Sequence, residues 1–545
     1  MQKHLATSLS VLLVAGQFAA PSLSSAQTHF TQTATPIKHV VVIFGENISF
    51  DHYWGTYPYA TNPKGEPRFV AEPGTPRVNG FTSALLGDNP NLNPANGSGA
   101  SNPFRLDRSQ AYTADQDHNY TPEQEAFDDA RMDLFPKFTG TPGPPPQAND
   151  TTGLVMGYFD GNTVTALWNY AQYYAINDNS YGTTYGPSTT GALNLISGQT
   201  DGVSDEINAT SKIVADGSGT LNGYTDIGDA DPIGDVCSTT TGAQIHMSDS
   251  NKNIGDLLDA AGITWGWFEG GFDLSIVNPN GTTGCDRSHT SAITGVTEND
   301  YIQHHEPFQY YDSTSNPDHI RPSSVRMIGY DDGPVHHQYD THDFFDAVRA
   351  GNMPAVSFLK APGYEDAHAG YSDPLDEQAF VVKVIDFLMT TPYWSSTAVF
   401  INYDDSDGWY DHQFGGIVNQ SDTLDDELTG SGQCGASGLE TALPGPSGAA
   451  HAQGRCGHGP RIPLMVISPW AKQNFVDHTA TDQTSIIRFI EDNWLHGERI
   501  GDGSYDAIAG SVENMFDFNR IDLRAPYLLD PSTGEPIGSH SHPWF

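Results

Sequence analysis

The sequence predicts an α/β fold: a central, mainly parallel sheet with helices on both faces and long loop insertions. Two observations predict it. Continuous apolar runs that end in polar residues recur along the chain, and segments of helical period lie between them. The first run, in IKHVVVIFGEN, is apolar from Val40 to Phe44 without alternation, as expected of a parallel strand buried on both faces. Comparable runs are ITWGWF around 263–268, AVSFL at 355–359, TAVFINYDD around 397–405 and PLMVIS at 463–468. Helical spacing of apolar residues marks NIGDLLDAAG (253–262), DEQAFVVKVIDFLM (376–389, with an acidic first turn) and TSIIRFIEDNWL (484–495). The segments at about 60–150, 201–250 and 415–460 are rich in Pro, Asn and Gly and have little period. They read as insertions decorating one domain that spans 27–545.

Composition narrows the function. The 545 residues carry 24 Lys and Arg against 67 Asp and Glu, a formal net charge of −43. Only 17% of residues are charged, so the imbalance reflects a shortage of bases. Such a chain has no electrostatic footprint for nucleic acid and is a poor binder of anionic membranes. At low pH its carboxylates protonate and few charges remain, which suits an acidic medium. Residues 1–26 read as a secretory signal peptide: Lys3, the short apolar run LATSLSVLLVAGQFAA and small residues before a cut after Ala26. A secreted or periplasmic location follows, and with it disulfides. Cys237, Cys285, Cys434 and Cys456 allow three pairings, and local pairing, Cys237 with Cys285 and Cys434 with Cys456, is the expectation.

In open α/β sheets ligands sit beyond the carboxyl ends of the strands, so the residues ending the apolar runs come first. VVVIF runs into Gly45-Glu46-Asn47 and VFINY into Asp404-Asp405. If these ends are neighbours, three carboxylates and an amide meet, an oxygen set that suits one hard divalent cation such as Mg²⁺, Ca²⁺ or Mn²⁺. The plainer reading is an acidic rim. In YGPSTTGALNLISGQT a Gly-Pro turn puts Ser188 at a helix N-terminus, as nucleophile, phosphate contact or simple N-cap. His118 (DQDHNYT), His304 and His305 (YIQHHEPF) and His368 (EDAHAGYSDP) are candidate proton carriers and phosphate ligands. His336 and His337 in DDGPVHHQYD read as structural, and His412, His451 and His458 as ordinary surface or core residues.

IKHVVVIFGENISFDHYWGTYP, GPSTTGALNLISGQT, YIQHHEPF, EDAHAGYSDP, NYDDSDGWYDH and GPRIPLMVISPWAK, in this order, resemble the bacterial phosphoesterase family of acid phosphatases and phospholipases C. The resemblance runs from about Ile37 to Trp494 and is strongest to the acid phosphatase A-type branch. It implies an alkaline-phosphatase-like fold, Glu46, Asn47, Asp404 and Asp405 as ligands of one metal ion, Ser188 as nucleophile, and His118, His304, His305 and His368 lining a phosphate pocket. Many phospholipase C members have threonine in place of the serine, a Pro-Asn-Arg run after it and an Asp-Glu-His pattern. This chain has Thr189-Thr190-Gly191-Ala192 and Asp404-Asp405 instead. The departures favour an acid phosphatase acting on monoesters, with phospholipase C or another phosphodiesterase as the alternative. A non-catalytic metal-dependent binding protein would have lost one of these residues. His304 or His305 is expected to supply the proton to the leaving oxygen.

Overall fold

The computed structural model describes residues 33–538 apart from 145–149, 218–222, 436–441, 449–450 and 523–524. The expected leader, 1–26, lies outside the described residues. The central sheet has eight strands: β1 (His39–Gly45), β2 (Ala175–Asn177), β3 (Trp265–Glu269), β4 (Gln338–Asp340), β5 (Val356–Lys360), β6 (Thr397–Tyr403), β7 (Leu464–Ile467) and β8 (Phe475–Asp477), ordered β4-β3-β5-β1-β6-β7-β2-β8. The pairs β4–β3, β3–β5, β5–β1, β1–β6 and β2–β8 are parallel. The PLMVIS run, β7, is antiparallel to both its neighbours, β6 and β2. An apolar run marks burial on both faces but not strand direction.

The absence of alternation in β1 has the expected cause. Val40, Val42 and Phe44 enter one hydrophobic core, Val41 and Ile43 the other. Each such side chain, fully buried, contributes roughly 1.5–3 kcal/mol. The helices divide between the faces. With α1 (Phe50–Trp54) and α2 (Tyr120–Phe127) defined beside the site, the helices against the sheet are α3 (Ser188–Ser197), α4 (Ile254–Ala261), α5 (Thr341–Arg349), α6 (Pro374–Met389) and α7 (Thr484–Trp494). Residues of α3, α4 and α7 pack with Val40 and Val42, those of α5 and α6 with Val41 and Ile43. Asp373 caps α6, accepting from the Leu375 and Asp376 backbone N–H groups, and Pro374 occupies the first turn, where no N–H is needed. Asn253 and Asp256 form a reciprocal capping box on α4.

Residues 201–250 carry a second sheet of five strands, short enough (two to seven residues) to leave no period in the sequence. Both local disulfides are present, Cys237–Cys285 and Cys434–Cys456. No helix among the described residues is long and apolar enough to cross a membrane.

Candidate active site

The carboxyl ends of β1 and β6 are adjacent because the two strands pair in register from His39↔Thr397 to Gly45↔Tyr403. The chain beyond each strand is stitched to the other. The Asn47 N–H donates to Asp404 Oδ1 at 2.9 Å, and the Ile48 N–H donates to the Asp405 carbonyl at 3.0 Å. Asn47 sits in the left-handed region (φ 60), which asparagine tolerates better than most residues. Ser188, the first residue of α3, projects between them: its Oγ lies 3.0 Å from Glu46 Oε2 and 3.2 Å from Asp405 Oδ2. Glu46, Asn47, Ser188, Asp404 and Asp405 are all buried. The strand-end reading thus brings together the residues it named.

The approach of α3 depends on Gly191. A Cβ there would lie 2.2 Å from the Asp404 carbonyl oxygen, and backbone cannot yield as a flexible side chain can. Gly191→Ala is expected to push α3 off the β6 loop and lower kcat/KM by about 10²-fold with the circular dichroism unchanged. Activity within twofold of wild type would show that the loop yields at little cost.

Four buried carboxylates here cannot all ionise in the same environment. Burial raises Asp404, but the Lys360 ammonium and the Asn47 N–H outweigh it and hold the group below its ordinary range. Burial and the charge of Asp404 push Asp405 well above that range. Burial pushes Asp366 up to about 8, Lys360 opposing. Glu46 Oε1 contacts the Lys360 ammonium. Asp404 Oδ2 and Asn47 Oδ1 are buried oxygens without a hydrogen-bond partner. Two orphaned lone-pair donors beside a serine and further carboxylates form an oxygen set that a hard cation satisfies.

The histidines surround this centre. His305 Nδ1 is 3.5 Å from Glu46 Oε1, and the His304 ring packs edge-on against it at 4.7 Å. His118 Nε2 lies 3.5 Å from Asn47 Nδ2, and His368 packs edge-on against His118 at 6.0 Å. Their charge states divide. For His118, burial favours the neutral ring, but Asp405, Asp407 and Asp115 overcome it and raise the group well above its ordinary value. For His304, Asp229 and Asp231 likewise overcome burial. His305 is driven well below by burial and by the charge of His304. Burial lowers His368. Within the His304–His305 pair the surroundings thus favour the proton on His304 over His305, a distinction the sequence left open.

His336 and His337 precede β4, at the opposite ends of the strands from Ser188. His337 is fully engaged: Nδ1 is 3.1 Å from the Trp265 carbonyl, Nε2 is 3.1 Å from Asp259 Oδ1, and the ring stacks on Trp265. His412 is less ordinary than its sequence suggests. It joins Asp51 and Asp411 in a group of possible ligands. The Arg461 guanidinium already neutralises that group, lying 3.0 Å from both Asp51 and Asp411. The cluster ties α1 to the β6 loop and gives Arg461 of GPRIPLMVISPWAK a structural role.

Sequence reasoning missed Lys360, Asp366 and Asp407. Lys360 was legible: it is the first polar residue after the AVSFL run, the same signal that marked Glu46 and Asp404, and Phe44↔Lys360 is a register pair. Asp407 accepts from Asn47 Nδ2 at 3.1 Å and lies inside NYDDSDGWYDH, where only the leading pair drew attention.

A sequence model of the phosphoesterase family matches residues 37–495. The chain belongs to the phosphoesterase family. Among curated relatives, it is 25% identical to a non-hemolytic phospholipase C of Pseudomonas aeruginosa over 512 residues, 92% of this chain and 60% of that one. It is 32% identical to a non-hemolytic phospholipase C of Burkholderia pseudomallei over 203 residues, 36% of this chain and 27% of that one. Phospholipase C B of Mycobacterium tuberculosis is 22% identical over 501 residues, covering 89% of this chain and 78% of that one. The matched stretches thus span less than two thirds of the Pseudomonas and Burkholderia relatives. Solved structures similar to this phosphoesterase include murine ectonucleotide pyrophosphatase/phosphodiesterase 5 (11% identity, TM-score 0.31, 65% of this chain and 95% of that one). A protein of the alkaline phosphatase superfamily from Vibrio parahaemolyticus is another (12% identity, TM-score 0.25, 61% of this chain and 60% of that one).

Proposed function

We propose that this phosphoesterase is an exported, metal-dependent acid phosphatase that hydrolyses phosphate monoesters through a phosphoserine. The observation that carries the reading is the Ser188 hydroxyl, buried at the head of α3 within hydrogen-bond distance of two carboxylates. A hydroxyl so placed has a neighbouring base and, at a helix N-terminus, a field that favours an incoming anion. Glu46, Asn47, Asp404 and Asp405 would hold one divalent ion, and the orphaned Asp404 Oδ2 and Asn47 Oδ1 fit that role. A metal bound there supplies Lewis acidity and screens the phosphate from the carboxylates.

The chain's own groups then divide the work. Ser188 gives its proton to a neighbouring carboxylate, and its oxygen forms a bond to phosphorus as the bond to the alcohol oxygen breaks. The His304 imidazolium donates a proton to that leaving oxygen. His118, also cationic, holds an equatorial oxygen as charge builds there. Water then cleaves the serine–phosphorus bond and returns the hydroxyl. Since His118 and His304 act as cations, activity falls as pH rises through their values. The two disulfides and the leader expected at 1–26 support export.

Ser188, the Thr189-Thr190-Gly191-Ala192 run and the Asp404–Asp405 pair support a monoester substrate. A second reading, phospholipase C, is favoured by the names of the relatives that match 92% and 89% of the chain. The test compares kcat/KM for p-nitrophenyl phosphate and p-nitrophenylphosphorylcholine from pH 4 to 8. The monoester is expected to be preferred at least about tenfold, equivalent to about 1.4 kcal/mol of transition-state discrimination, with its maximum in acid. Preference for the choline diester would overturn the phosphatase reading in favour of phospholipase C.

A further inference from the structure

We propose that Glu123 is a positioning residue that clamps the Ser188 turn to the loop carrying Asp404 and Asp405, an inference that rests on the reading of Ser188 as nucleophile. Glu123 lies in α2, which begins two residues after His118, and it is 1% exposed. Its Oε2 accepts the Gly186 N–H at 3.1 Å. Its Oε1 accepts the Ser406 hydroxyl at 2.7 Å. Gly186, at φ +114, is the turn residue two places before Ser188, and Ser406 directly follows Asp405. The Ser406 oxygen in turn accepts the Gly408 N–H at 3.0 Å, so the clamp reaches into the loop that also carries Asp407.

One carboxyl therefore joins three segments that each bear a site residue: α2 behind His118, the turn before the nucleophile, and the β6 loop. A buried carboxyl is costly unless its oxygens are satisfied. Packing alone has no need of one here, because an apolar side chain would fill the volume. What an apolar residue cannot supply is a pair of acceptors that fixes both loops at once. Ser188 Oγ must be set between Glu46 and Asp405 to within a fraction of an ångström, and displacement of reacting groups by about 1 Å costs on the order of 10²-fold.

The experiment compares Glu123→Ala, Glu123→Gln and Ser188→Ala in the full chain, with steady-state kinetics on p-nitrophenyl phosphate, thermal unfolding and acid-quench trapping of phosphoserine. Glu123→Ala is expected to lower kcat by about 30- to 100-fold and to slow phosphoserine formation, with KM changed less than about threefold. Glu123→Gln, which keeps one acceptor, should recover part of that loss. Wild-type kcat in Glu123→Ala, measured well below its melting temperature, would overturn the proposal even if stability falls. If Glu123→Ala does not fold, Glu123→Gln decides: reduced kcat at unchanged KM supports the clamp, and wild-type kcat overturns it. Turnover retained in Ser188→Ala would instead overturn the nucleophile reading, so the two failures are distinct.

Discussion

Ser188→Ala is expected to abolish turnover, with kcat lowered at least about 10⁴-fold, the scale seen when a covalent nucleophile is removed. The substitution takes away one oxygen and adds no volume, so folding should be unaffected. Ser188 is buried and its hydroxyl contacts the Glu46 and Asp405 carboxylates, and the rest of α3 packs through Ala192, Leu193, Leu195 and Ile196. The melting temperature should stay within a few degrees of wild type, and metal content by elemental analysis should match that of wild type. Acid quench of the wild-type enzyme with labelled substrate should trap phosphate on the protein, and the variant should trap none. Substantial residual turnover would remove Ser188 from the covalent role and point to direct attack by water.

The folded protein is expected to be more stable in acid than at neutral pH. Several carboxyl groups apart from Glu46, Asp404 and Asp405 are raised by burial: Glu123 to about 8, Glu377 to about 7 and Asp201 to about 6. Burial together with the charge of Asp376 takes Asp373 to about 7. Glu377 shows the cause. It is enclosed in α6, its two oxygens accepting the hydroxyls of Tyr53 and Tyr403. Between about pH 4.5 and 7 the folded state keeps a proton on such a group that the unfolded chain releases. The stabilisation is complete below the unfolded value and is lost as pH rises through the folded one. His118 and His304, raised in the folded state, act in the same direction at higher pH. Asp51 and Asp340, held low in the folded state, act in the opposite sense below about pH 4. His52, His305 and His368, lowered by burial, oppose the trend below the ordinary histidine value, so the carboxyl groups must outweigh them.

A shift like that of Glu377 corresponds to about 3 kcal/mol at most. Even partial addition should raise the melting temperature at pH 5 above that at pH 8 by about 5 °C or more. Thermal unfolding at constant ionic strength checks this. Glu377→Gln, neutral at every pH, should flatten the dependence, and a melting temperature that climbs from pH 5 to 8 would contradict the prediction.

The legible parts of the molecule are those where pattern and position coincide. β1, β3, β5 and β6 are five to seven residues long and buried on both sides, and β1, β5 and β6 lead into polar groups of the candidate site. β2, β4 and β8 are three residues each, below the length at which any pattern can be read. The helix α5 escaped notice because its apolar pairs, Phe344-Phe345 and Ala347-Val348, sit among acidic and histidine residues. Lys360 could have been found by the rule that found Glu46. Glu123 could not, because the role proposed for it rests on two hydrogen bonds to segments 63 and 283 residues away.

That separation has a consequence for biosynthesis. Glu46 and Ser188 are 142 residues apart, and Ser188 and Asp405 a further 217, while β1, the strand that aims Glu46, lies between β5 and β6, both made much later. A nascent chain that has not yet delivered residue 405 holds Ser188 without one of the two carboxylates that its hydroxyl contacts. The arrangement of Glu46, Ser188 and Asp405 is thus among the last contacts the polypeptide can complete, because β6 and the loop after it must be made before the three can meet.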